Sequence, residues 1–146
     1  IEVVDSAQAA VRESDLLVTV TTAKEPIIQA EWLKPGVHIN AVGSHRPDLR
    51  EIDGATLKRA KAVVDSREAV MAECGDILLA LKEQSIGAAD IHGEIGEVLA
   101  GAKAGRSSPN EVTLYKSVGI AIQDVAAAQM VYRKALAQNV GTHVEI

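Results

Sequence analysis

The sequence predicts an α/β fold: a mostly parallel sheet with flanking helices. Three observations carry this. The runs Leu16-Leu17-Val18-Thr19-Val20-Thr21 and Val37-His38-Ile39-Asn40-Ala41-Val42 are nearly continuous and rich in β-branched residues, as expected of strands buried on both faces of a parallel sheet. Stretches with helical spacing, opened by capping residues, separate such runs. The apolar content comes from Ala, Val, Ile and Leu, with one Trp, two Tyr and no Phe, so helices can approach a sheet closely.

Taken in order, Ile1 to Val4 reads as the tail of a strand or the loop after it. Asp5 or Ser6 caps a short helix ending near Ser14, with Ala10 and Val11 inward. The first full strand is Leu16–Thr21. A short helix around Trp32 and a turn at Lys34-Pro35-Gly36 lead to the second, Val37–Val42. Asp53 caps a helix to about Lys61, and Ala62–Val64 is a third strand. Ser66 caps the next helix, which Gly75 should end, and Asp76 starts another stretch through Leu81. Gly87 to Ser108 reads as irregular apart from a short helix at Ile95–Leu99, and Lys103–Asn110 as a linker. Glu111–Tyr115 alternates like a strand. The long helix from Ile120 to Gln138 is apolar almost all round, so it should pack on more than one side. Three or four strands are few for a doubly wound domain.

Composition excludes several function classes. A net charge of −5 argues against a broad basic surface for nucleic acid or acidic lipid. The near absence of aromatic residues argues against base stacking. No apolar run reaches about 18 residues, so no transmembrane helix is expected. With no secretory leader in view and one cysteine, Cys74, a reducing, cytoplasmic setting is expected and no metal site.

In open α/β sheets, ligands bind beyond the carboxyl ends of the strands. Three such ends are polar: Thr21, Thr22 and Lys24; Asn40 through Asp48; and Lys116 with Ser117. Ser117 is either a plain helix cap or part of an anion-binding helix start. His45 is either a solvated loop residue or a proton donor. His38 sits in a strand, His92 and His143 lack partners at metal spacing, and Cys74 reads as buried and inert. Gly93-x-x-Gly96 is no dinucleotide fingerprint, since no strand is expected before it.

One set of stretches goes further. It comprises Thr19-Val20-Thr21-Thr22, the run from Trp32 to Gly43 ending in Asn40-Ala41-Val42-Gly43, and Arg46-Pro47-Asp48-Leu49-Arg50-Glu51-Ile52-Asp53. It continues with Val64-Asp65-Ser66, Glu73-Cys74-Gly75-Asp76, Gly93-Glu94-Ile95-Gly96-Glu97-Val98 and Tyr115-Lys116-Ser117-Val118-Gly119-Ile120-Ala121. In order and spacing these resemble the ornithine cyclodeaminase/mu-crystallin family over nearly the whole chain. The resemblance implies a partial Rossmann-type sheet in residues 1–118, and in 119–146 a helix and tail returning to a dimerisation and substrate domain. It implies NAD or NADP as cofactor, an amino acid or cyclic imino acid as substrate, and a homodimer.

Residue by residue, the resemblance puts Thr21, Asn40, Ala41 and Val42 at the dinucleotide, a Ser117 hydroxyl on the cofactor, and Val118 beside the substrate. His45 stands where the cyclodeaminases have their catalytic aspartate, and Leu49 where they have a cofactor-contacting lysine. Arg46-Pro47-Asp48 looks like the mu-crystallin and ketimine reductase branch. Hydride transfer to a cyclic ketimine carboxylate is therefore favoured, with His45 as catalytic proton donor. The alternatives are ornithine cyclisation to proline and ammonia, or non-catalytic binding of a small ligand. The family's G-x-G-x-x-G turn, its ribose-reading acidic residue and its substrate-carboxylate arginine and lysine have no counterpart in this sequence. They are expected upstream of Ile1, which would leave this chain inactive by itself.

Overall fold

A computed structural model describes residues 2–144; Ile1, Glu145 and Ile146, at the ends of the expected strand tail and C-terminal tail, lie outside the described residues. Five short strands form one sheet: β1 (Leu16–Thr19), β2 (His38–Ala41), β3 (Lys61–Val64), β4 (Ile91–Glu94) and β5 (Thr113–Lys116). Their spatial order is β1-β2-β5-β3-β4, and every pairing is parallel. The chain lays down β1 and β2, skips a position, lays down β3 and β4, and returns to fill the gap with β5. All four expected strands lie in this sheet, each within about two residues of its expected ends.

Six helices accompany the sheet: α1 (Ala7–Glu13), α2 (Gly54–Arg59), α3 (Arg67–Glu73), α4 (Gly75–Lys82), α5 (Ile95–Leu99) and α6 (Ala121–Gln138). Ser6, Asp53 and Ser66 cap α1, α2 and α3 through their side-chain oxygens. The core packs Ile39, Val64 and Leu114 of the sheet against Leu57, Val70 and Ile77 of the helices. Ala41, Ala60, Ala62 and Ala80 keep the layers close.

Three expectations change. Leu16 and Val18 are 58% and 59% exposed while Leu17 and Thr19 are buried, so β1 is an edge strand covered on one face only. Glu2–Val4 has no regular structure, which is the second of the two alternatives, a loop. β4 was unexpected: Ile91 is its sole large apolar residue, and pairing with β3 rather than local pattern defines it. It also supplies the strand thought missing before Gly96.

Gly75 does not end a helix but opens α4. A β-carbon there would run into the carbonyls of Leu49 and Arg46, so the glycine serves a close approach and not a left-handed cap. α6 has no buried residue among those described, and Ile122, Val125, Met130, Val131, Tyr132 and Leu136 are each more than half exposed. Within the described residues nothing covers the helix that the sequence expects to be packed.

Candidate cofactor site at the carboxyl edge of the sheet

Parallel pairing brings the ends of β1, β2, β5 and β3 side by side. The ladder continues past the strands: Val42 N–H donates to the Thr19 carbonyl (2.9 Å), Ser117 N–H to Ala41 (3.1 Å), and Asp65 N–H to Lys116 (3.1 Å). β5, laid down last, fills the gap between β2 and β3, so four strand ends line one edge. The carboxyl edge is the side on which an open α/β sheet binds ligands.

Two buried carboxylates organise this edge. The Glu51 side chain reaches under β1 and β2 from the loop that follows β2. It accepts Thr19 Oγ1 (2.8 Å), the Thr21 N–H (2.6 Å) and the Gly43 N–H (2.8 Å). Gly43 has no room for a side chain: a β-carbon would meet Glu51 Oε1 and the Thr21 backbone. On the other side, Asp65 Oδ2 accepts Ser117 Oγ and the N–H groups of Val118 and Gly119, each at 2.8 Å. Asp65 therefore fixes the turn that leaves β5.

Glu51 is itself held by a deeper pair. Asp76 Oδ1 accepts the backbone N–H groups of Glu51 (2.7 Å) and Ile52 (3.1 Å). Its Oδ2 lies 3.2 Å from Lys116 Nζ, and both side chains are fully buried. The angle falls outside hydrogen-bond geometry, and neither atom has another partner among the described residues. Burial pushes the Asp76 carboxyl above its ordinary range, against the opposing pull of Lys116 and the two N–H groups. The adjacent Cys74 thiol is pushed up to about 11 by the same loss of solvent, as expected for an unreactive cysteine.

The residues singled out from sequence fall on or near this edge. Thr21 and Val42 are exposed at the ends of β1 and β2, and Val20 beside Thr21 is 69% exposed. Asn40 is half-buried, in register with Val18 and Tyr115. Ala41 is fully buried, so its carbonyl takes part in the ladder while its methyl belongs to the core. Ser117 is nearly buried, with its hydroxyl proton committed to Asp65. It does not cap α6, which begins beyond Ile120 without a side-chain cap. Val118 follows it, half-buried.

His45 is exposed in the loop beyond β2. Its Nδ1 lies 2.8 Å from the Gly43 carbonyl, which can only accept, so Nδ1 carries a proton there and Nε2 faces away. Ser44 anchors this loop from below, donating its hydroxyl to the Leu49 carbonyl (2.8 Å) and accepting the Asp76 N–H (3.1 Å). Arg46 pairs with Asp48 through two contacts of 3.0 and 2.9 Å.

The sequence reading missed Glu51, Asp65 and Asp76 as site-building groups. The one available signal was an acidic residue set among apolar ones, as in Leu49-Arg50-Glu51-Ile52.

The small exposed apolar side chains at this edge suit a planar ring, and the buried carboxylates present no bare charge to a nucleotide because N–H and O–H donors consume them. A pyrophosphate finds less. Where β4 meets α5, the Glu94 N–H donates to Glu97 (2.8 Å) and the Glu94 carboxylate takes the Arg67 N–H (2.7 Å). That helix start is acidic and already satisfied, which is why Gly93-x-x-Gly96 is no phosphate turn even with a strand before it. A cavity of about 260 Å³ on the sheet lies elsewhere, among His38, Lys61, Val63, Val98 and Tyr115 and reaching the strand beginnings.

The fold agrees with comparisons to known proteins. The family model of the ornithine cyclodeaminase/mu-crystallin family matches residues 1–139. The chain belongs to that family. It is 47% identical over 132 residues to the ketimine reductase mu-crystallin of Mus musculus, covering 90% of this chain and 39% of that protein. The structure of Thermococcus litoralis Δ1-pyrroline-2-carboxylate reductase in complex with NADH and L-proline superposes with a TM-score of 0.88 at 47% identity, covering 97% of this chain and 44% of that one. An archaeal alanine dehydrogenase dimer with bound NAD gives 0.83 at 45% identity, covering 97% and 44%. The chain thus spans about two fifths of the length of these family members.

Proposed function

We propose that the chain forms the nicotinamide-side half of the dinucleotide-binding domain in an NAD(P)-dependent reductase of cyclic imino acids. The observation that carries this reading is the carboxyl edge itself. Thr21, Val42 and His45 stand exposed together at the ends of β1 and β2, on backbone that Glu51 holds from below, beside the β5 end that Asp65 holds. Similarity to family members described with NADH or NAD supports the choice of cofactor.

In this reading the dinucleotide supplies the hydride. The chain's own residues do the rest. Thr21, Asn40 and the Ala41-Val42 backbone seat the dinucleotide. Ser117 holds its place through Asp65 and keeps only acceptor capacity for the cofactor. Val118 lines the substrate side. His45 delivers a proton from Nε2 to the imine nitrogen.

The complete protein is then a homodimer. Residues 2–118 belong to the dinucleotide domain, and α6 leads into the dimerisation and substrate region, where its exposed apolar residues find cover. The dimeric alanine dehydrogenase is the supporting comparison.

The test is oxidation of NADH and NADPH by the complete protein with Δ1-pyrroline-2-carboxylate, its solution mass being measured in parallel. Turnover by a species of twice the chain mass is expected. Formation of proline and ammonia from ornithine with NAD, without imine reduction, would replace this reading with cyclodeamination. Tight substrate or cofactor binding without turnover of either would leave a binding protein.

A further inference from the structure

We infer that Glu51 is a positioning residue for the cofactor: its one carboxylate ties the ends of β1 and β2 together and thereby sets the backbone on which the dinucleotide lies. The inference rests on the reading of this edge as the dinucleotide site. Thr21 and Gly43 belong to different strand ends, 22 positions apart, and no other side chain is hydrogen-bonded to both of their N–H groups among the described residues. Glu51 meets both from below, fully buried, and takes Thr19 Oγ1 as its third donor. It does not face the edge itself, so it acts through Thr21 and Gly43.

The geometry is restrictive. Three donors converge on two oxygens, so the group must offer acceptors at both ends. The missing β-carbon of Gly43 is the clearance that lets the carboxylate come so near. Asp76, bonded to the Glu51 and Ile52 N–H groups, fixes the loop from which Glu51 reaches.

The deciding substitution is Glu51→Gln, which keeps shape and volume. Its amide oxygen satisfies Thr19 and Gly43, but its NH2 then faces the Thr21 N–H, donor against donor, and the end of β1 must move. In the complete protein, Glu51→Gln should weaken NADH binding about ten- to a hundredfold, the usual consequence of a buried donor left unpaired. The rise should appear in KM for the dinucleotide far more than in kcat at saturating NADH. Leu57→Ala, a core truncation in α2 away from this edge, should lower Tm as much or more and leave the NADH Kd unchanged.

Where Glu51→Gln does not fold, Thr19→Val removes one donor without a polar mismatch and should weaken NADH about two- to fivefold. An unchanged Kd in the folded Glu51 variant, or equal weakening by Leu57→Ala, overturns the inference; so does an unchanged Kd in Thr19→Val where that variant is the one tested. Absence of dinucleotide binding by the unmodified protein overturns the functional reading and this inference with it, and is seen before any substitution is made.

Discussion

Replacing His45 with alanine should lower imine-reductase turnover by about 10²–10⁴-fold, the range a positioned general acid supplies. The structure adds direction to that expectation. The Gly43 carbonyl holds the Nδ1 proton at 2.8 Å, so the proton in play is the one on Nε2, which the imidazolium carries and the neutral ring lacks in this orientation. Because His45 is exposed and outside the ladder, its removal should leave the dinucleotide Kd and Tm nearly unchanged. The loss should then fall on kcat. Full turnover by His45→Ala would remove it from the reaction and assign the proton to water or to another part of the protein.

The largest effect on stability should come from Asp76→Ala, about 3–5 kcal/mol. The substitution leaves Lys116 as an unpaired buried charge and strips two backbone N–H groups, those of Glu51 and Ile52, of their acceptor. Lys116→Met should cost less, even though it breaks the same ion pair. Burial already pushes the Asp76 carboxyl upward, and without Lys116 the group can take up a proton and become neutral.

The sign of the pH dependence follows. A carboxyl whose folded pKa is raised costs stability once it ionises, so the deficit of Lys116→Met should widen as pH rises. Urea unfolding of both variants at mildly acidic and mildly alkaline pH measures this. A cost below about 1 kcal/mol for Asp76→Ala, or a Lys116→Met deficit that shrinks with pH, would contradict the account.

The sequence by itself determined the fold class, four of the five strands and the caps Asp53 and Ser66, narrowed the first cap to Asp5 or Ser6, and pointed to the polar strand ends as the place to look for a ligand. These are local properties. A β-branched run or a serine before a helix announces itself within a few residues, and a parallel sheet with few strand ends leaves few places for a site. Family membership was legible because the matching stretches keep their order and spacing along nearly the whole chain, over residues 1–139.

Only the tertiary structure decided the rest. β4 exists because β3 offers it a partner, and β1 is half-exposed because it lies at the sheet's edge. Gly75 opens a helix because the carbonyls of Leu49 and Arg46 crowd it. Ser117, a helix cap or part of an anion-binding helix start by sequence, donates its hydroxyl to Asp65, 52 residues away. Glu51, Asp65 and Asp76 look like ordinary surface charges in a linear chain. What distinguishes them is the set of distant N–H groups, brought together only by folding, whose hydrogen bonds offset the cost of burying a carboxylate.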